Sequence, residues 1–116
     1  MDFSKLNGLV PAVIQDASTQ EVLMVGFMNQ EALDRTVETG FATFFSRTRN
    51  TLWTKGETSG NRLRVARILV DCDDDTLLLQ VTRLGDGNVC HTGEKTCFFR
   101  SLDSQKDQTG GREKES

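Results

Sequence analysis

The stretch LRVARILVDCDDDTLLLQVTRL, residues 63–84, places two apolar runs on either side of a short acidic segment. The first run, residues 63–70, is aliphatic and β-branched, and its Arg64 and Arg67 are predicted to point outward. The second run occupies residues 77–84. Apolar runs of this length, bounded by polar turn residues, are typical of strands. This stretch therefore predicts two strands joined by a charged turn, and with them a β-rich fold.

Other apolar runs extend this pattern along the chain. Residues 9–14, 22–27 and 41–45 are each apolar and bounded by polar or turn-forming residues, so they predict three more strands. Residues 97–99 predict a last short strand. We expect these strands to form a largely antiparallel sheet.

A single helix is predicted within this series of strands. Asn29 is a suitable N-cap, Glu31 suits the positive end of the helix dipole, and Gly40 provides a stop. Leu33 and Val37 would lie on one face. The predicted fold class is therefore α+β, β-rich, with one principal helix.

Composition limits the chain to one domain and excludes several functions. Of its 116 residues, 36% are hydrophobic and 27% are charged. Residues 1–102 carry the apolar pattern, whereas residues 103–116 contain no apolar side chain and are predicted to be a disordered polar tail. A net charge of −3 argues against general nucleic-acid binding. With neither a membrane-spanning run nor a signal-peptide pattern, we expect a cytoplasmic protein.

The acidic segment is a candidate cation site. Runs of carboxylates are commonly solvated turns. On an extended backbone, however, Asp71, Asp73 and Asp75 would project to one side and offer three oxygen donors, which suit Mg²⁺. The spacing also resembles the start of an EF-hand loop, but Thr76 and Thr82 stand where that loop requires glycine and glutamate. An EF-hand is therefore excluded.

Three cysteines form a second candidate metal site. Cys72, Cys90 and Cys97 are odd in number and are expected in a reducing compartment, so disulfides are disfavoured. They could be buried apolar residues, as free cysteines often are. Alternatively, three thiolates could bind zinc and leave one position open, as in catalytic zinc sites. The only histidine, His91, adjoins Cys90 and could be either a fourth ligand or a general acid/base.

A polar segment, residues 46–61, is a candidate anion-binding loop. Its glycines permit close approach to the backbone, and its cationic and hydroxyl side chains offer donors to phosphate. Trp53 could stack on a base or pack in the core. The candidate substrate-binding residues are Arg47, Arg49, Trp53, Lys55, Gly56, Glu57, Thr58, Ser59 and Gly60.

Taken together, these segments resemble the phosphoribosyl-AMP cyclohydrolase family of histidine biosynthesis. The resemblance covers nearly the whole of residues 1–102 in the expected order. It is carried by GFMN at 26–29, LWTKGETSG at 52–60, DCDDD at 71–75, CHTG at 90–93 and CFFR at 97–100. The combination of the acidic motif with the cysteine–histidine motif makes this resemblance specific.

The resemblance implies a function and a set of ligands. The family acts on a nucleotide that carries a phosphoribosyl group on adenine N1, and water opens the N1–C6 bond. The chain would then be a hydrolase in which His91 manages protons, and the polar loop and Mg²⁺ hold the anionic groups. The implied metal ligands are Cys72, Cys90 and Cys97 for zinc and Asp71, Asp73 and Asp75 for Mg²⁺.

The resemblance also implies an intertwined homodimer that shares each zinc site between subunits, with one zinc per subunit. On an extended strand, Cys72 would point away from Asp71 and Asp73, which favours the same arrangement. Two rival functions remain. A zinc nucleobase deaminase would also attack adenine C6, although its H-x-E and P-C-x-x-C motifs are absent. A noncatalytic binding module would use His91 to close the zinc shell.

Overall fold

The strands and the helix of the chain follow most of the predicted pattern. The computed structural model describes residues 1–102, so the predicted polar tail at 103–116 lies outside the described residues. Within the described part, the elements are β1 (Val10–Asp16), β2 (Val22–Met28), α1 (Gln30–Thr39), β3 (Thr43–Ser46), β4 (Thr51–Thr54), β5 (Leu63–Val70) and β6 (Leu77–Arg83). No helix among residues 1–102 has the length and apolar character needed to cross a membrane.

Four strands form the main sheet, in the order β2-β1-β6-β5. The pairs β1–β2 and β5–β6 are antiparallel, whereas β1 and β6 run parallel, from Ala12 opposite Leu77 to Asp16 opposite Val81. Strands β3 and β4 form a separate antiparallel pair. Within residues 1–102, the prediction of a β-rich α+β fold with a largely antiparallel sheet and one principal helix is confirmed.

The ends of helix α1 are those predicted, but its buried face is different. The Asn29 side chain accepts a hydrogen bond from the Ala32 amide at 2.8 Å, and Gly40 closes the helix with φ of 82°. Ala32 and Thr36 are buried, whereas Val37 is 67% exposed. Thr36 can be buried because its hydroxyl donates to the Ala32 carbonyl at 2.9 Å and accepts from the Thr43 amide at 3.0 Å. This hydroxyl ties α1 to β3.

Strand β5 contains a β-bulge that explains its sequence pattern. Val65 pairs with Val81, but the next pair is Arg67 with Gln80, so Ala66 is an extra residue in the ladder. Side chains alternate along a regular strand, so residues three apart would face opposite sides. The bulge lets Arg64 and Arg67 both lie exposed on one side, as predicted.

Two of the strand predictions need correction. Residues 97–99 are irregular and do not form a strand. The Cys97 amide does donate to the Leu23 carbonyl at 2.8 Å, but this is a single contact and not a ladder. Strand β4 was not predicted, because Thr51 and Thr54 are polar and the segment was assigned to an anion-binding loop.

The core lies between the main sheet, α1 and β3. Phe44 is fully buried and packs against Gly26, where an added Cβ would come within 2.6 Å of the Phe44 ring. A side chain at position 26 would therefore force β3 away from β2. The largest fully buried apolar side chains are those of Phe44, Ile14, Leu23, Met28, Leu63, Leu77, Leu79, Val10, Val81 and Val89.

A buried ion pair lies where β1 and β6 end. Arg83 Nε is 3.0 Å from Asp16 Oδ2, and the Asp16 side chain is only 7% exposed. Its other oxygen, Oδ1, accepts hydrogen bonds from Ser18 and from the Thr19 amide. Burial raises the pKa of the Asp16 carboxyl, but these hydrogen bonds and the Arg83 charge outweigh burial and lower the pKa to about 2.

Substitution of Asp16 by asparagine should reveal this pair as a pH-dependent contribution to stability. The folded-state pKa lies below the ordinary carboxyl value of 3.8, so the contribution is fully present above that pH and is lost as the pH falls through 2. We expect Asp16→Asn to lower the free energy of unfolding by about 2 kcal/mol at neutral pH, by about half as much near pH 3, and by little at pH 2. Urea unfolding of both proteins across this range tests the prediction, and a difference that stays constant with pH contradicts it.

Candidate metal and substrate site

The acidic segment is a tight turn between β5 and β6, so the predicted extended backbone is wrong. The Asp71 amide donates to the Thr76 carbonyl at 3.1 Å, and Asp74 adopts φ of 66°. The predicted cluster nevertheless forms. Ligand oxygens of Asp71, Asp73 and Asp75 all lie within 4.8 Å of one another. A turn therefore brings the three carboxylates together, whereas we expected them to project to one side of an extended strand.

Hydrogen bonds hold the acidic turn in this shape. Asp71 Oδ1 accepts from the amides of Asp75 at 3.0 Å and Thr76 at 3.2 Å. Lys5 Nζ lies 2.8 Å from Asp75 Oδ2, and this contact lowers the pKa of the Asp75 carboxyl. Three neighbouring carboxylate oxygens are the ligands that hard divalent cations prefer. The donor chemistry of the turn therefore fits Mg²⁺.

Cys90 and Cys97 form a pair of interacting thiols. The pKa of Cys90 is lowered, first by the Thr92 hydroxyl 3.1 Å from its sulfur and then by the Thr92 amide, with smaller contributions from Cys97 and Lys55. Burial raises the pKa of Cys97, as does the neighbouring Cys90. A stabilised thiolate beside a second thiol fits a soft cation such as zinc.

Cys72 does not join this pair within one chain. Among residues 1–102, the acidic turn is the only place where three or more His, Cys, Asp or Glu ligand atoms lie this close together. Cys72 belongs to that turn, at the start of β6, whereas Cys90 follows the far end of the strand. Seven strand residues span about 20 Å. Cys72 does not point away from Asp73 as predicted, since its sulfur lies 3.7 Å from Asp73 Oδ1 within the turn. The length of β6 separates Cys72 from Cys90 and Cys97 instead.

A polar cavity joins the cysteine–histidine segment to the predicted anion-binding loop. It has a volume of about 370 Å³, and its lining includes Lys55, Ser59, Asn61, Cys90 and His91. Lys55 also lies close enough to the two thiols to favour their ionised forms. The Lys55 side chain therefore lies beside both the thiol pair and the cavity.

The rest of the predicted loop surrounds a neighbouring cavity of about 410 Å³. The Trp53 ring is 5.0 Å from that of Phe44, so Trp53 packs against the core while it also lines this cavity. Arg47 instead lies 4.2 Å over the Phe27 ring. The predicted residues that line the cavity are Arg49, Trp53, Gly56, Glu57, Thr58 and Ser59.

Three residues that were not predicted from the sequence help to build the site. Asn61 Oδ1 accepts a hydrogen bond from the Asp86 amide at 3.1 Å and so fastens the polar loop to the segment before Cys90. Gly85 permits this approach, since a Cβ there would collide with Asn61. Thr92 supports the Cys90 thiolate. The sequence did contain these residues, with Thr92 two positions after Cys90. Glycine, asparagine and threonine are common in loops, however, so their presence alone did not indicate a role in the site.

The fold and the two donor clusters define a small β-rich domain with two candidate metal sites. A family model described as phosphoribosyl-AMP cyclohydrolase matches residues 24–99. The chain is 60% identical over 104 residues to the phosphoribosyl-AMP cyclohydrolase of Solibacter usitatus, covering 90% of this chain and 82% of that protein. It is 57% identical over 102 residues to the enzyme of that name from Listeria innocua, covering 88% and 93%. The chain belongs to the phosphoribosyl-AMP cyclohydrolase family.

A longer relative also matches. The histidine biosynthesis bifunctional protein HisIE of Bacteroides thetaiotaomicron is 64% identical over 98 residues, which make up 84% of this chain and 47% of that protein. The chain therefore spans about half the length of this bifunctional relative and most of the length of the two shorter relatives.

Two glycines of the polar loop give a matched test of its geometry. Gly56 and Gly60 both have positive φ, of 78° and 85°, but a Cβ on Gly56 would collide with the Asn61 carbonyl, whereas one on Gly60 meets nothing within 4 Å. We expect Gly60→Ala to lower the free energy of unfolding by about 1 kcal/mol, from φ strain alone. Gly56→Ala should lower it by at least about 2 kcal/mol. Equal losses in urea unfolding would contradict the loop geometry.

Proposed function

We propose that the chain is a hydrolase of histidine biosynthesis that opens the adenine ring of phosphoribosyl-AMP at the N1–C6 bond. Family membership supports the reaction. The structural observation that carries the proposal is the cavity that brings Lys55 and Ser59 of the polar loop to Cys90 and His91. This cavity offers cationic and hydroxyl donors to a phosphorylated nucleotide next to a group that can move protons. We place the reaction in the cytoplasm, where thiols stay reduced.

Each group has a proposed role in the ring opening. In the overall reaction the oxygen of water joins C6, the N1–C6 bond breaks, and N1 gains a proton, so the product is the formimino-carboxamide ribotide. His91 takes the proton from water and returns one to N1. Cys90 and Cys97, with Cys72 of the partner subunit, would hold a zinc ion, which would supply Lewis acidity that makes water a better nucleophile. Lys55 holds one anionic group together with the donors of the polar loop, namely Arg47, Arg49, Gly56, Thr58, Ser59 and Gly60.

Glu57 and Trp53 are proposed to shape the site, whereas the other residues of the polar segment bind the anionic group. Glu57 Oε1 accepts a hydrogen bond from the Thr54 amide at 2.9 Å, which fixes the start of the loop. Trp53 forms an apolar wall of the neighbouring cavity, where its ring faces a ligand on one side and Phe44 on the other. Asp71, Asp73 and Asp75 would hold a Mg²⁺ ion that binds the second phosphate, since the homodimer proposed below would bring this turn of one subunit to the cavity of the other.

We further propose an intertwined homodimer in which Cys72 of the partner subunit completes the zinc site formed by Cys90 and Cys97. The length of β6 supports this arrangement, because one chain places these thiols at opposite ends of the sheet. An apolar groove that includes Leu33 and Val37 offers surface for such an association. Two-fold symmetry would then create two equivalent sites, each holding one zinc.

The reaction can be tested directly together with the role of His91. Purified protein loaded with zinc and Mg²⁺ should convert phosphoribosyl-AMP to a product heavier by one water, without releasing ammonia. Ammonia release would indicate a deaminase, and an unchanged substrate would indicate a binding module. We expect His91→Ala to keep its zinc but to turn over about 10² to 10⁴ times more slowly. Loss of zinc from this variant would make His91 a ligand.

Subunit exchange tests the shared zinc site. Cys72→Ala and Cys90→Ala should each be inactive alone, since each lacks one ligand at every site. After mixing and exchange, half the dimers are heterodimers, and each of these retains one site with all three cysteines. About a quarter of the wild-type activity should therefore return. If verified heterodimers stay inactive, all three cysteines must act within one subunit.

A further inference from the structure

A lysine from outside the acidic turn already occupies part of the proposed Mg²⁺ site. Lys5 Nζ lies 2.8 Å from Asp75 Oδ2, although the two residues are 70 positions apart in sequence. The other oxygen, Asp75 Oδ1, accepts a hydrogen bond from the Thr76 hydroxyl at 3.3 Å. Both oxygens of one proposed Mg²⁺ ligand are therefore engaged, and one of them is held by a cation.

The position of Lys5 is fixed by the chain around it. Phe3 packs against the hydrophobic core, and the Asp2 amide donates to the Asp74 carbonyl at 2.6 Å. The Phe3 carbonyl accepts a hydrogen bond from the Gly8 amide at 2.7 Å. These contacts place the segment around Lys5 beside the acidic turn. The Lys5 side chain itself is 49% exposed, so its ammonium can move into solvent without disturbing the core.

We propose that Lys5 is a resident counter-cation of the acidic turn, which a divalent cation must displace, and that Lys5 thereby sets the affinity and the exchange rate of the Mg²⁺ site. The inference rests on the magnesium site proposed above. A hard divalent ion contacts carboxylate oxygens at about 2.0–2.1 Å, so an ion bound at Asp75 Oδ2 competes with the Lys5 ammonium for that oxygen. The two positive charges also repel each other at this range. Metal binding therefore exchanges one cation for another.

This exchange gives Lys5 two opposite effects. In the absence of metal, its ammonium partly neutralises a turn that holds four aspartates within residues 71–75. In the presence of metal, breaking the ion pair reduces the net free energy of binding. The site is thus a readily reversible one.

Binding of Mn²⁺ to the zinc-loaded full chain tests the proposal, with electron paramagnetic resonance used to count free Mn²⁺. Lys5→Met keeps the aliphatic stem and removes the charge. We expect it to bind Mn²⁺ about two to five times more tightly than wild type, the range expected for an exposed ion pair. Lys5→Gln should change the affinity in the same direction. Arg35→Met removes one charge from an exposed position on α1 and should leave the affinity close to that of wild type.

Asp73→Asn is the control that shows where Mn²⁺ binds. If the measured Mn²⁺ binds at the acidic turn, this substitution should abolish its binding. Unchanged or weaker binding in both Lys5 variants overturns the inference while leaving the magnesium site intact, provided that binding still depends on Asp73. Equal tightening in Arg35→Met also overturns the inference, because net charge would then explain the effect. If no variant binds Mn²⁺, both the magnesium site and the role of Lys5 are wrong.

Discussion

The backbone hydrogen bonds between β1 and β6 determine where both donor clusters lie. Because these strands run parallel, the first residues of β1 lie beside the start of β6, where the acidic turn is held. The last residues of both strands lie together at the opposite end of the sheet, where Asp16 and Arg83 form their buried ion pair. Cys97 contacts Leu23 near this same end. The sheet therefore keeps the oxygen donors and the paired thiols at opposite ends of one rigid support.

The two clusters differ in chemistry as well as in position. Carboxylates favour hard ions and thiolates favour soft ones, so each set of ligands selects its own ion even where the proposed homodimer brings the acidic turn of one subunit to the thiol pair of the other. The local charges follow the same division. Lys5 accompanies the carboxylates, and Lys55 accompanies the thiols. A chain with net charge −3 thus places a cation next to each concentration of negative charge.

The sequence predicted what depends on local pattern. The caps of α1 follow from Asn29 and Gly40, because few residue types suit those two positions. The bounds of β5 follow from its apolar run. What depends on distant partners was not predictable. Thr36 is buried because Thr43, seven residues later, satisfies its hydroxyl, and Lys5 reaches Asp75 across 70 positions. The acidic residues were assigned correctly to one cluster for the wrong geometric reason, since a turn gathers them. Strand β4 was missed because its threonines suggested a loop.

The bulge at Ala66 leaves β5 one residue longer than its pairing with β6 requires. Val65 and Arg67 already oppose consecutive residues of β6, so a chain without Ala66 could keep every other cross-strand partner and form a regular ladder. Strand β6 has no such spare residue, and losing one there would turn its later side chains to the wrong face. Insertions and deletions among homologous chains are therefore expected to be tolerated at this point of β5 and to avoid β6, so the bulge marks one place where the sheet can change length during evolution.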